Sequence, residues 1–305
     1  MKEKTSLNTI SGDNIKDLFP LKWILWFLIN IYTNNIRPKK PDYAKYNFIK
    51  KFEVFSEDLK SIELKEFLSP SRFLCNLFWQ KINWEKVKNE LGEINIHDTG
   101  CGDGTYSLKL DRYANGINSY LGIDSLENKK WLELNQKNPL FDFKNETNLD
   151  LSKTVKSNTN IFISQSAIEH FQYDLEYFRQ IKEFINLTKK NIIQIHLFPS
   201  PACLWLYLFH GYRQYNLNSI LKILKLFRTN NCYFKLFCLG GNRCNMQHFK
   251  SITIPHFLFK NFFKVNKNKY FKNLKKNILN DSKLLSYNPS FYALIIHSNY
   301  KNKIF

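Results

Sequence analysis

Acid is what this chain has least of relative to its counterpart: 26 Asp and Glu stand against 45 Lys and Arg, a net charge of +19. That balance favours anionic partners such as nucleic acid, acidic lipid headgroups or anionic sugars. Lys, Asn and Ile are abundant even in loop-like stretches, so a solvated basic surface of purely compositional origin accounts for the same count. The six cysteines include no CxxC pair. Cys238 and Cys244 flank a short loop without the second ligand pair that a structural zinc site needs, so no metal is expected there. The start of the chain lacks the basic, apolar, small-residue order of a secretory leader, and the expected setting is reducing and cytoplasmic. No apolar run reaches the roughly 20 residues that span a bilayer. The most apolar stretch, Leu18 to Tyr32, carries Lys22 and is followed by Arg37-Pro38-Lys39-Lys40. It reads either as a helix packed over the domain or as an interfacial helix with Trp23 and Trp26 at headgroup level, a peripheral membrane contact. There is no internal repeat.

What the sequence does have is apolar material, 44% of it, with 27 Phe and 16 Tyr, too much for a disordered chain. At 305 residues it is read as one large α/β domain with extensions: an N-terminal helical extension or cap over 1–90 and the main domain over 91–305. From Tyr43 to Glu90 the pattern is helical. Beyond it the period changes. Ile94 to Asp98, Tyr120 to Asp124, Asn160 to Ser164 and Asn191 to Phe198 read as strands, separated by helix-like spans Tyr106 to Asn115, Ser125 to Asn135 and Asp174 to Asn186. That alternation predicts βαβ units in a doubly wound, mostly parallel sheet with helices on both faces. Later come a helical span Leu217 to Phe227 and strands Tyr233 to Leu239 and Phe291 to His297. Asn261 to Lys276 reads as a solvated helix or loop.

The chemistry concentrates in Asp98-Thr99-Gly100-Cys101-Gly102-Asp103-Gly104, between a strand and a helix. Alternating glycines let the backbone turn sharply and approach a ligand without Cβ atoms in the way, and the next helix offers free N–H groups at its start. A second strand ends in Asp124, where a carboxylate can take hydrogen bonds from both ribose hydroxyls. The spacing G-x-G-x-G departs from the dinucleotide fingerprint G-x-G-x-x-G.

The D-x-G-C-G-x-G turn and the acid ending the next strand resemble the corresponding motifs of class I S-adenosylmethionine-dependent methyltransferases. A strand running into Ser164-Gln165-Ser166-Ala167-Ile168-Glu169-His170 resembles a later motif of that superfamily, so the likeness covers Ile94 to Pro199 in order. The resemblance implies a Rossmann-like methyltransferase fold with S-adenosylmethionine as cofactor. By carry-over, Gly100, Cys101, Gly102 and Gly104 would hold the methionine part, Asp98 its amino group and Asp124 the ribose. Asn145 or Glu146 would contact adenine, with Ser164 also on the cofactor side. Some relatives bind a divalent metal near the Glu-His turn; Ser166 stands where an acidic ligand is needed, so none is expected.

Methyl transfer to oxygen profits from a base titrating near neutrality, and His170, His196 and His210 are the candidates. The insertion after the fifth strand carries His210, Tyr212, Arg213 and Tyr215, which topology places over the strand ends, so His210 and Arg213 join His170 as expected catalytic residues. The expected acceptor is an oxygen of a small molecule, glycan or lipid-linked intermediate. RNA or DNA is the alternative, suggested by the charge and by aromatics interleaved with Lys from Phe257 to Phe271, as is a non-catalytic scaffold at a membrane surface.

Overall fold

Eight strands form one sheet in the order β1-β7-β8-β6-β5-β2-β3-β4. They are β1 (Ile49–Lys51), β2 (Asn95–Thr99), β3 (Ser119–Asp124), β4 (Phe141–Asn145), β5 (Ile161–Gln165), β6 (Ile192–Pro199), β7 (Cys232–Leu239) and β8 (Phe291–Ser298). Around them lie α1 (Leu21–Ile31), α2 (Pro70–Lys81), α3 (Trp84–Leu91), α4 (Thr105–Tyr113), α5 (Lys130–Lys137), α6 (Leu151–Thr154), α7 (Asp174–Thr188), α8 (Cys203–Leu206), α9 (Leu217–Phe227), α10 (Asn242–His248), α11 (Ile254–Phe259) and α12 (Lys267–Asp281). This is a computed structural model, and it describes residues 3–6, 21–36, 46–60, 67–147, 150–208, 213–228, 231–259 and 266–305.

The doubly wound, mostly parallel sheet expected from the alternation of strands and helices is what forms. Every pairing is parallel except those of β8, which lies antiparallel between β6 and β7. β6 and β8 are buried along their whole length because helices cover both faces, which is why both read as mostly apolar runs without a polar alternation, interrupted in β6 by Gln194 and His196. One core layer joins Ile195, Leu197, Ala293 and Ile295 to α2 and α12; the opposite layer joins Phe198, Leu294 and Ile296 to α7 and α9.

Three expectations change. The stretch Tyr43 to Glu90 is not helical throughout, since β1 within it adds a parallel edge strand to β7; three residues are too few for a period to show. The span Ser125 to Asn135 becomes helical only from Lys130. The Lys-rich run near the C-terminus forms α12, which buries Tyr270, Phe271, Leu274 and Ile278, so its apolar stripe was hidden among lysines rather than missing; Asn261 to Val265 lie outside the described residues.

Helix α1 satisfies the packed reading on one side and leaves the interfacial reading its other side. Trp26 is buried against Leu204, Phe27 meets Trp205 edge-on at 5.2 Å, and Trp23 Nε1 donates to the Leu208 carbonyl at 2.6 Å. Leu21, Ile24, Leu25 and Leu28 stay exposed. Leu18 to Pro20 and the cluster Arg37 to Lys40 lie outside the described residues. Among the described residues no helix is long and apolar enough to cross a membrane.

Candidate functional site

Strand order decides where a ligand goes. From β2 the chain winds outward through β3 and β4, then returns to place β5 and β6 on the other side of β2. The crevice outside the carboxyl ends at such a switch point is where open α/β sheets bind ligands. Here it is a cavity of about 830 Å³, lined by Asp98 from β2, the turn Gly100 to Asp103, Asp124 from β3, and Gln165 and Ser166 from the end of β5.

The turn is stitched to the sheet. The Gly100 and Cys101 N–H groups both donate to the Ile123 carbonyl, at 2.8 and 3.1 Å. Trp131 Nε1 donates to the Gly102 carbonyl at 2.9 Å from behind, its ring stacked on Phe143. Two of the glycines are required for different reasons. Gly100, at φ +78°, has no room for a side chain: a Cβ would lie 2.3 Å from Ala167 Cβ. Gly102, at φ +58°, would point a Cβ into open space with no heavy atom within 4 Å. The second case is the one that matters for binding, because a bare backbone facing a cavity is the surface a ligand can approach closely. Gly104, also in the left-handed region, heads α4 with no side-chain cap on the helix start.

The two carboxylates are held differently. Asp124 Oδ2 accepts from the Gly102 N–H at 2.8 Å and Oδ1 from the Leu126 N–H at 3.2 Å, so the acid that ends β3 also braces the turn. Asp98 is buried and accepts from the Tyr120 hydroxyl at 2.5 Å. Burial pushes Asp98 up to about 7; the Tyr120 bond opposes this and the neighbouring Asp124 charge adds to it. A cationic amino group beside Asp98 would favour its ionised form.

These residues fit the implied cofactor. Asp98 matches its ammonium, Asp124 a ribose diol, and the uncovered backbone at Gly102 the close approach of the methionine part. Cys101 lines the cavity. The structure does not bring all the expected residues there. Ser164 is fully buried one residue too deep, 2.8 Å from His196 Nδ1, and Gln165 and Ser166 line the cavity in its place. The choice between Asn145 and Glu146 falls on neither as a lining residue: Asn145 Nδ2 donates to the Ser125 carbonyl and the Glu146 N–H to the Asp124 carbonyl. Ser125, Leu126 and Thr147 line that end instead.

On the expected catalytic residues the structure divides. His170 closes a 3₁₀ turn, Ile168–His170, and lines the cavity beside Phe171 and Gln172. His196 is buried within β6, where burial pushes it down to about 3 and favours its neutral form, and it does not line the cavity. His210 and Tyr212 lie outside the described residues. Arg213 is not in the cavity wall. It is buried 3.4 Å from Asp174 Oδ2 and donates to the Phe171 carbonyl at 2.7 Å, and its backbone N–H donates to the Glu169 carbonyl at 3.3 Å, which holds it against the 3₁₀ turn. Tyr215 goes with it, fully buried, donating to Asp174 Oδ2 at 3.0 Å.

Sequence reasoning did not find Leu68 and Arg72 near the start of α2, or Tyr106 and Lys109 on α4, all of which line the cavity. Tyr106 and Lys109 are spaced i, i+3 and so share a helix face, a signal that was available; nothing local marks Arg72.

No family model matches this chain and no curated protein matches it. Among solved structures it is similar to the plantazolicin methyltransferase BamL, crystallised with SAH (13% identity over 74% of this chain and 85% of that one, TM-score 0.47). It is similar also to a SAM-dependent methyltransferase from Archaeoglobus fulgidus (15% identity, 75% and 95% covered, TM-score 0.43). A third likeness is to the small RNA methyltransferase HEN1 (13% identity, 80% of this chain and 27% of that one, TM-score 0.46). What the cavity of this chain can hold is decided by its own residues.

Proposed function

We propose that this chain is a class I S-adenosylmethionine-dependent methyltransferase that methylates an oxygen of a small-molecule, glycan or lipid-linked acceptor. The observation that carries the reading is the uncovered Gly102 backbone at the switch point, flanked by Asp98 and Asp124 at the ends of adjacent strands. The cofactor supplies a methyl group on a sulfonium, already electrophilic. The protein then needs to align the acceptor, exclude water and take a proton. His170, on the cavity wall, is the base of this reading, and the turn that bears it is braced by Tyr215, whose single hydroxyl proton is shared between the Ile168 carbonyl at 3.1 Å and Asp174 Oδ2 at 3.0 Å.

Calorimetry with S-adenosylhomocysteine tests it. The protein is expected to bind with a Kd in the micromolar range, ~8 kcal/mol of binding free energy. Asp124→Ala should weaken binding by ~1–3 kcal/mol, through lost hydrogen bonds to a charged acceptor and a looser turn. Absence of any heat or thermal shift at millimolar ligand overturns the cofactor assignment, and wild-type affinity in Asp124→Ala overturns the ribose assignment.

The exposed side of α1 belongs to the same reading as a peripheral contact with an anionic lipid surface. Leu21, Ile24, Leu25 and Leu28 are exposed on one helix of a protein carrying +19, with Trp205 partly exposed beside them. Apolar insertion and charge attraction are the two signals such binding combines. Sedimentation should carry the protein down with phosphatidylserine-rich vesicles and leave it in solution with pure phosphatidylcholine. Leu25→Glu with Leu28→Glu should abolish that binding while leaving S-adenosylhomocysteine affinity intact. Equal sedimentation of wild type and double variant would remove α1 from the membrane.

A further inference from the structure

The cavity is electrically divided. On the β3 side of β2 its charged wall is acidic, with Asp103 and Asp124 facing it and Lys130 paired to Asp103 at 2.8 Å. On the β5 side, among the described residues, the lining carries no Asp or Glu, and two cations take their place, Arg72 and Lys109.

Those cations are set around one ring. The Arg72 guanidinium lies 6.0 Å from the centre of the Tyr106 ring and Lys109 Nζ lies 4.7 Å from it. Tyr106 is itself fixed, its hydroxyl donating to Asn76 Oδ1 at 2.6 Å. Beside them the Gln165 side chain is held by its oxygen, which accepts from Trp79 Nε1 at 2.6 Å. Its buried amide NH2 faces the Tyr106 hydroxyl with one proton and keeps a second N–H to spare. Two cations and an unspent N–H donor thus converge from three elements, α2, α4 and the end of β5, on the part of the cavity that the cofactor assignment leaves over. Among the described residues the acid that feels the Arg72 charge is Glu169, and burial pushes it up to about 8, which favours its neutral form over the carboxylate that would cancel the field.

We propose that the β5 side of the cavity holds the methyl acceptor by an anionic group, a phosphate or a carboxylate, gripped by Arg72, Lys109 and the Gln165 amide. Charge-assisted hydrogen bonds to such oxygens are the strong ones, and the guanidinium fork matches their geometry. The division of charge then has a use: the acidic side suits a cofactor whose ammonium and sulfonium outweigh its one carboxylate, and the basic side suits an acceptor of opposite net sign, so each is steered to its own half. Naming the anion as the acceptor rests on the methyltransferase reading; the anion site itself does not.

The test titrates phenyl phosphate and phenylacetate, at low salt, into protein saturated with S-adenosylhomocysteine, with benzyl alcohol as the uncharged control. At least one anion is expected to bind with a Kd of ~1 mM or tighter. Benzyl alcohol should not bind. Arg72→Ala and Lys109→Ala should each weaken the anion roughly tenfold or more, with Arg72→Lys retaining part of the affinity. S-adenosylhomocysteine affinity should stay within about threefold in all three. Arg72 is exposed, so its replacement leaves the fold, checked by thermal melting, in place. Anion binding that is absent in the wild type, or equal in the wild type and both alanine variants, overturns the proposal. Failure of S-adenosylhomocysteine to bind overturns the methyltransferase reading alone; phenyl phosphate binding that still depends on Arg72 would keep the anion site.

Discussion

Replacing Gly102 by valine is expected to lower S-adenosylhomocysteine affinity at least ~100-fold, about 2.7 kcal/mol, while the protein still folds. Two effects work in the same direction. At φ +58° a side chain is strained, at ~1–2 kcal/mol, and a β-branched one more so. The strain alone would cost stability and not binding. Binding is lost because the Cβ and its methyls project into the cavity, where no protein atom lies within 4 Å, and occupy the space of the ligand. Gly102→Ala separates the two, since it carries the strain with less bulk and should fall between. Calorimetry with S-adenosylhomocysteine reads the affinity and circular dichroism the fold. A valine variant that binds like wild type would mean that the ligand does not cross this backbone.

The sequence made this turn readable because everything it needs is local. Strand, glycines and helix are contiguous from Asn95 to Tyr113, and Asp124 follows at the end of the very next strand, paired in register so that Asp98 lies beside Gly122. The acceptor side was not readable for the opposite reason. Arg72 comes from a helix between β1 and β2, Lys109 from the helix after the turn and Gln165 from β5, and only tertiary packing brings them to one ring. The apolar run Phe291 to His297 announced burial and not direction, and its insertion antiparallel between β6 and β7 leaves no mark in the sequence. Ser164 missed by one residue, which in a strand moves a side chain to the opposite face; there it meets His196.

Arg213 was placed over the acceptor by topology alone, and its surroundings give it another task with a measurable consequence. Its side chain and that of Asp174 are buried as an ion pair, 4% and 0% exposed. Asp174 also accepts from the Thr5 N–H at 3.0 Å and from the Tyr215 hydroxyl, while Arg213 donates from Nε to Ser6 Oγ at 3.2 Å. The pair therefore ties three segments together: residues near the N-terminus, the chain entering α9, and the turn that bears His170, whose neighbour Phe171 gives its carbonyl to Arg213 at 2.7 Å. Removing the cation leaves a carboxylate in a dry site without its counter-charge, which typically costs 3–5 kcal/mol, more than the pair itself contributes. Arg213→Ala should accordingly lose about 3–5 kcal/mol in urea denaturation. Arg213→Met combined with Asp174→Leu should lose less than the sum of the single changes, because the double variant buries no unpaired charge. S-adenosylhomocysteine affinity of the folded Arg213→Ala protein should stay near wild type, since the glycine turn and Asp124 are untouched. Wild-type stability in Arg213→Ala, together with a selective loss of turnover, would return Arg213 to the acceptor site; loss of stability with non-additive coupling to Asp174 fixes it as the clamp that holds the His170 turn against the body of the protein.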